Sequence, residues 1–312
     1  MARRTQRTSN FPQMGTEGER YQVTSAKGEP KVKASGKPEM AWRYGEMPTF
    51  TGHSEVVAAT ANILHSIRSA SPGEVKHGME WYDKVHEAVG KGVGKRGAMR
   101  GASDKMLSGA GIVAAVSPNM DWDRANIDAF SELHKLKSAH WGAIASGDRS
   151  PLAGMSISSA STPNLMKAHR LMQGEDPHSV IPAGGAPKTH SFMHNIANPD
   201  DPGYVTIDGR AFDTMTNRMR SWDVNRGLST GGKSMSKRYT AARDIWQGAA
   251  SAVDLSPARA QAVSWSHTKY DLEQKGRTRK QGPNRVGQPY FDPGSGEPSL
   301  HLPHISSGQF AS

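Results

Sequence analysis

Apolar residues through the middle of the chain recur every three to four positions, the period of an α-helix that turns one face to a core. Val56, Ala59, Ile63 and Ile67 make one such face, ended by the Ser71, Pro72, Gly73 break, and a second helix is centred on 81–89. Residues 106–116 are apolar nearly all round, as a helix through the centre of a small domain must be, and Ser117 with Pro118 ends it. Trp122, Ala125, Asn126, Ala129, Phe130 and Leu133 then share one helical face, opened by Asn119 or Asp121. Thr162 and Pro163 open another helix, which Gly174 closes. Tyr239, Ala242, Trp246, Ala249 and Val253 give a late helix, and Ser256 with Pro257 starts the last one, through Trp265. Only 204–207 reads as a strand, so the pattern predicts an all-α fold.

Periodicity fails at both ends. Residues 1–48 hold nine basic and five acidic side chains in no helical or alternating order, which predicts a disordered basic arm. Residues 275–312 mix Gly, Pro, Ser and basic side chains and predict a flexible tail. One helical domain over 49–274 remains. Composition adds a partner: Lys and Arg total 39 against 29 Asp and Glu, a net charge of +10. Such a surplus favours a polyanion, double-stranded DNA first, through counterion release. The chain has no cysteine, which excludes disulfides, thiolate metal sites and cysteine nucleophiles. No run of apolar residues reaches membrane-spanning length, so a soluble protein of the cytoplasm is expected, of the host cytoplasm if a phage encodes it, with no membrane partner.

Two glycine patterns match phosphate loops by letter. Gly92, Gly94 and Gly97 fit G-x-G-x-x-G, and Gly227, Gly232, Lys233 and Ser234 fit G-x-x-x-x-G-K-S, but neither follows the buried strand that such loops require. Both read better as basic loops, with Lys91, Lys95 and Arg96 as contacts to a DNA backbone. His190 and His194 have the i, i+4 spacing of a metal face. With no third ligand evident, they read as solvent- or phosphate-facing, and neither a metal nor another cofactor is assigned.

The most informative stretch is 176–213. Asp176 and Pro177 start a short helix, 182–185 turn the chain, and Pro187 sits at the first position of a second helix ending near 196, so the hairpin spans about 177–196. Gly184, Gly185 and Thr189 would present backbone N–H groups to a DNA phosphate, with Arg210 nearby in sequence as a further contact. Lys188 falls in the first turn of the second helix, where the positive end of the dipole disfavours an ammonium, a setting that suits a nucleophilic lysine. Asp208 follows the extended segment and opens the next helix. Taken singly, Lys188 reads as a helix-entry lysine and Asp208 as an N-cap; their joint placement suggests a site.

In its order of helix, glycine turn, Lys-Thr, helix, apolar dipeptide and Asp, this stretch resembles the endonuclease III branch of the helix-hairpin-helix DNA glycosylases. The upstream GIVAAVSPNMDWDRANIDAF is similar to that family's core helix, polar turn and following helix. The chain also resembles an uncharacterised group of phage proteins with a KT…F…NI…VTID pattern. The resemblance implies a helix-hairpin-helix glycosylase-like domain in which Lys188 attacks the sugar C1′ and Asp208 assists, on a base flipped from the duplex. Asn119, Trp122 and Asn126 would line the base pocket. The chain departs from the family in its IPAGGAPKT turn, in Gly209 and Arg210 after the aspartate, and in lacking the cluster-binding cysteines. Three readings follow: a DNA glycosylase with or without abasic-site lyase activity, a phage enzyme of DNA base hypermodification on the same fold, and a non-catalytic DNA-binding protein.

Overall fold

The computed structural model describes residues 19–22, 40–43, 50–94, 104–118, 124–216 and 235–274. Eleven helices of four residues or more lie among them: α1 (His53–Arg68), α2 (Pro72–Val93), α3 (Lys105–Val116), α4 (Arg124–Leu133), α5 (Ser138–Ala145), α6 (Thr162–Met172), α7 (Pro177–Val180), α8 (Pro187–Ala197), α9 (Gly209–Thr216), α10 (Met235–Ser251) and α11 (Pro257–Gln274). Two 3₁₀ turns, Ser150–Leu152 and Ser156–Ser159, join α5 to α6. Among the described residues the body from 50 onward is all-α. Residues 204–207, expected as a strand, belong to no regular element and pair with no strand among the described residues. Within the arm expected to be disordered, β1 (Glu19–Gln22) and β2 (Met40–Arg43) form an antiparallel pair, with Arg20 opposite Trp42 and Tyr21 opposite Ala41. Tyr21 and Trp42 are residue types that suit a strand, a signal too short to stand out in a basic, glycine-rich segment.

Local chemistry sets most helix ends. Ser71 and Glu74 form a capping box at the start of α2: Ser71 N–H donates to Glu74 Oε2 (2.6 Å) and Glu74 N–H to Ser71 Oγ (3.3 Å). The break read after the first helix is thus also the start of the second, which begins well before residue 81. Asp104 caps α3 by accepting from Leu107 N–H (2.8 Å), and α6 is followed by Gly174 at φ +86°. Nine consecutive α3 residues, from Ser108 to Val116, are buried, as their nearly uniform apolarity predicted.

The core has two parts. One gathers side chains of α2, α3, α4, α5, α6 and α8, including Trp81, Ile112, Phe130, Leu165 and Phe192. The other gathers α1, the 205–207 segment, α9, α10 and α11, including Ile63, Phe212, Trp246 and Val263. Two helices serve both. α11 gives Ala258 and Ala262 to the first and Ala260 and Val263 to the second, while Val75 and Met79 of α2 pack on the second and Trp81, Val85 and Val89 on the first. α2 and α11 approach closely at Gly78, where a Cβ would lie 2.5 Å from the Val263 backbone N and Cα.

Candidate functional site

α7, the turn and α8 follow the boundaries read from the sequence. Asp176 Oδ2 accepts from Ser179 N–H (2.8 Å) and caps α7. The N–H groups of Gly185 and Ala186 both donate to the Pro182 carbonyl (3.2 and 2.9 Å), closing the turn before Pro187. No side chain caps α8, and the N–H groups of Lys188 and Thr189 have no partner among the described residues. Gly184 and Gly185 are exposed. Neither has a positive φ, and a Cβ would meet nothing within 4 Å at Gly184 and only Pro182 Cγ at 3.4 Å at Gly185. The fold itself therefore makes no demand for glycine here.

α8 then carries two distinct faces. At about 100° per residue, Lys188, Ser191 and Asn195 fall within about 60° of one another. Along this stripe α8 meets the 204–207 segment through Asn195 and, by way of Tyr239, through Ser191. The Asn195 amide, fully buried, is assigned with its nitrogen donating to the carbonyls of Ser191 (3.2 Å) and Tyr204 (3.1 Å) and its oxygen accepting from Thr206 Oγ1 (3.0 Å) and N–H (3.2 Å). Tyr239 Oη accepts from Ile207 N–H (3.1 Å) and lies 3.2 Å from both Ser191 Oγ and the Val205 carbonyl. Tyr82 Oη donates to Gln261 Oε1 (3.2 Å). These groups form a polar seam between the two parts of the core. Burial, with a smaller contribution from the Asp208 carboxylate, pushes the Tyr239 hydroxyl up to about 12 and the Tyr82 hydroxyl up as well.

Asp208 follows Ile207 in the chain and precedes α9. One of its oxygens, Oδ1, caps α9 by accepting from Ala211 N–H (2.8 Å); the other has no partner among the described residues. Lys188 is half-buried and makes neither a hydrogen bond nor an ion pair among the described residues, and no ion pair joins it to Asp208. Arg210 and Thr189 are half-buried.

The other contacts expected for DNA fare differently. Lys91 is not on a loop: it lies in the last turn of α2, paired with Glu87 (2.6 Å). The first two glycines of the G-x-G-x-x-G pattern likewise belong to that helix end, because Gly92 lets it pack on Phe130. Lys95, Arg96, Asn119, Trp122 and the 227–234 pattern lie outside the described residues. Asn126 is on α4, one turn before Phe130.

The second face of α8 holds His190 and His194, about 120–160° around the helix from Lys188. The sequence reading has them facing solvent or phosphate; in the structure His190 is instead buried and His194 half-buried, because α8 packs this face toward α7 and Tyr204. A third histidine, His178 on α7, joins them across the turn, its Nδ1 3.3 Å from His190 Nε2. Ligand-type nitrogens of all three lie within 4.8 Å of one another. Tyr204 stacks on His194 at 3.8 Å with an interplanar angle of 2°. His194 Nε2 is buried with no hydrogen-bond partner among the described residues. Burial, then the neighbouring histidines, pushes His194 down to about 4, and His190 is lowered for the same reasons. The sequence signal for His178 was its place in a helix paired to α8 by a short turn, which only the closed hairpin makes visible.

Residues 48–270 match the model described as Family of unknown function (DUF7178), and the chain belongs to that family. No curated protein and no solved structure is similar to it. No helix among the described residues is long and apolar enough to cross a membrane.

Proposed function

We propose that this member of the DUF7178 family is a DNA-binding enzyme of the helix-hairpin-helix glycosylase type, acting on a base turned out of the duplex. The observation that carries the reading is two groups left uncommitted among the described residues: Lys188, half-buried in the first turn of α8, and Asp208, of which one oxygen alone is used in capping α9. The turn before Lys188 supports a phosphate contact. Its two glycines answer no need of the fold, and the N–H groups of Lys188 and Thr189, unpaired among the described residues, leave backbone donors open to an anion.

In the reaction the neutral Lys188 Nζ forms a bond to C1′ as the C1′–N glycosidic bond breaks, and the base leaves with the electron pair and takes up a proton. Asp208 stabilises positive charge developing on the sugar and accepts the proton lost by the attacking amine. The sugar ring then opens to a Schiff base on Lys188, which water hydrolyses or which eliminates the 3′ phosphate. Unstacking the target base costs a few kcal/mol, least where the base is damaged or mismatched.

Borohydride trapping on duplexes carrying uracil, oxidised or alkylated bases tests this. The expected result is a covalent protein–DNA adduct with at least one substrate, absent for Lys188→Ala and reduced at least a hundredfold in rate for Asp208→Asn. Salt-dependent DNA binding with no base release from any substrate would replace the reading by the non-catalytic one. A modified nucleoside in the source genome, with base transfer in place of release, would favour hypermodification.

A further inference from the structure

We propose that His178, His190 and His194 form a binding site for one divalent transition-metal ion, zinc by preference, with water at the fourth position. The site clamps α7 to α8 across the turn that precedes Lys188. It is independent of the base chemistry, because the histidines occupy a different face of α8.

Geometry is the first argument. In a tetrahedral zinc site with Zn–N of about 2.0 Å, two nitrogens stand about 3.3 Å apart. His178 Nδ1 and His190 Nε2 are 3.3 Å apart, and the third imidazole places its ligand atom within 4.8 Å of both. Closing that last gap requires a side-chain adjustment of about an ångström, which His178 can make because it is exposed. His190 and His194 need no movement of the backbone, since one helical turn already sets them side by side.

The second argument is an unsatisfied atom. His194 Nε2 is buried and has no hydrogen-bond partner among the described residues, although a buried ring nitrogen ordinarily finds one. Tyr204, stacked flat on the ring, fixes its plane. A metal ion supplies the missing partner and also accounts for three imidazoles crowded together without a carboxylate among them. Asp201 and Asp104 are near enough to act on His194 with their charge, which favours a cation.

The donor set defines the ion. Three nitrogens and no carboxylate exclude calcium and magnesium, which need oxygen, whereas imidazole suits zinc, copper, nickel and cobalt. Three protein ligands leave a coordination position open, and the exposed His178 edge lets water fill it.

The test uses the full chain stripped with a chelator. Zinc is titrated in competition with a chromophoric chelator, and cobalt is added separately as a spectroscopic probe. One zinc per chain with a sub-micromolar Kd is expected, together with a raised melting temperature and tetrahedral cobalt absorption. His178→Ala, at an exposed position, should leave the metal-free melting temperature unchanged, weaken zinc at least tenfold and remove the thermal shift. His178→Cys should restore binding and add sulfur-to-cobalt charge-transfer absorption, unambiguous in a chain without cysteine. Binding well below one equivalent, or wild-type affinity in His178→Ala, would overturn the assignment. Borohydride trapping reports on Lys188 alone, so the two proposals fail separately.

Discussion

The contact between α2 and α11 gives one substitution opposite effects at two places in the same helix. At Gly78 an added methyl would sit 2.5 Å from the Val263 backbone N and Cα and 2.8 Å from its Cγ2. Ordinary carbon–carbon contact begins near 3.5 Å, so the helices must separate by about 1 Å. The obstructing atoms are backbone and cannot swing aside. Overpacking of this kind costs about 1–3 kcal/mol, against a helix-propensity gain of about 1 kcal/mol for replacing glycine by alanine. Since the obstructing atoms are backbone and α2 and α11 border both parts of the core, the upper part of that range, about 2–3 kcal/mol, applies, and Gly78→Ala should cost about 1–2 kcal/mol net. At Gly90 the added methyl meets nothing within 4 Å, and only the propensity gain remains, about 0.5–1 kcal/mol. In a body of this size that corresponds to a Tm lowered by about 2–8 °C for Gly78→Ala and raised by about 1–4 °C for Gly90→Ala. Urea and thermal unfolding measure both. Shifts of the same sign, or a Gly78→Ala protein as stable as wild type, would refute the close-approach argument.

Three further outcomes follow from buried polar groups. Tyr239→Phe leaves the Ile207 N–H without its acceptor inside the core and should cost about 1–3 kcal/mol in urea unfolding; a loss below about 0.5 kcal/mol would mean that water replaces the hydroxyl. Arg259 joins Asp83 of α2 and Asp200 through paired guanidinium contacts of 2.7–3.2 Å. Because both carboxylates are at least half exposed, Arg259→Ala should cost about 1–3 kcal/mol, with Arg259→Lys recovering less than half, since an ammonium cannot serve two carboxylates in bidentate fashion. Burial pushes the Glu74 carboxyl up, but its bonds to His267 and Ser71 outweigh this and hold it below its ordinary 4.5. A depressed native value gives stability that is present above pH 4.5 and is lost as pH falls through that value. Glu74→Gln should therefore be less stable at pH 7 and converge with wild type as pH falls through the lowered native value; parallel stability–pH curves would contradict this.

Long helices with a distinct polar face or a strong stop signal were legible in the sequence: α1, α3, α6, α8 and α11 begin or end close to where Ser, Pro and Gly mark them. α5 was not, because eight residues with two buried side chains, Trp141 and Ile144, give no sustained period. The 3₁₀ turn at 156–159 depends on the Glu132 carboxylate, which accepts from Ser156 N–H (3.0 Å) and Oγ (2.8 Å) from 24 residues away, and no local pattern encodes that. At the candidate site, the places of Lys188 and Asp208 came from helix-start rules, which act over one turn. The seam through Tyr82, Asn195 and Tyr239 and the third histidine did not, because a hydroxyl or an imidazole gains its meaning from partners that only tertiary packing supplies.

The pairing of α2 with α11 also bears on how the chain is made. Tyr82 reaches Gln261 across 179 positions, and Asp83 reaches Arg259 across 176. During synthesis, Trp81, Tyr82 and Val85 have emerged from the ribosome long before the helix that covers them exists, so neither half of the interior can close early. A nascent chain halted before residue 257 would expose these aromatic side chains to chaperones, and release of the final helix would act as the step that commits the whole body to fold at once.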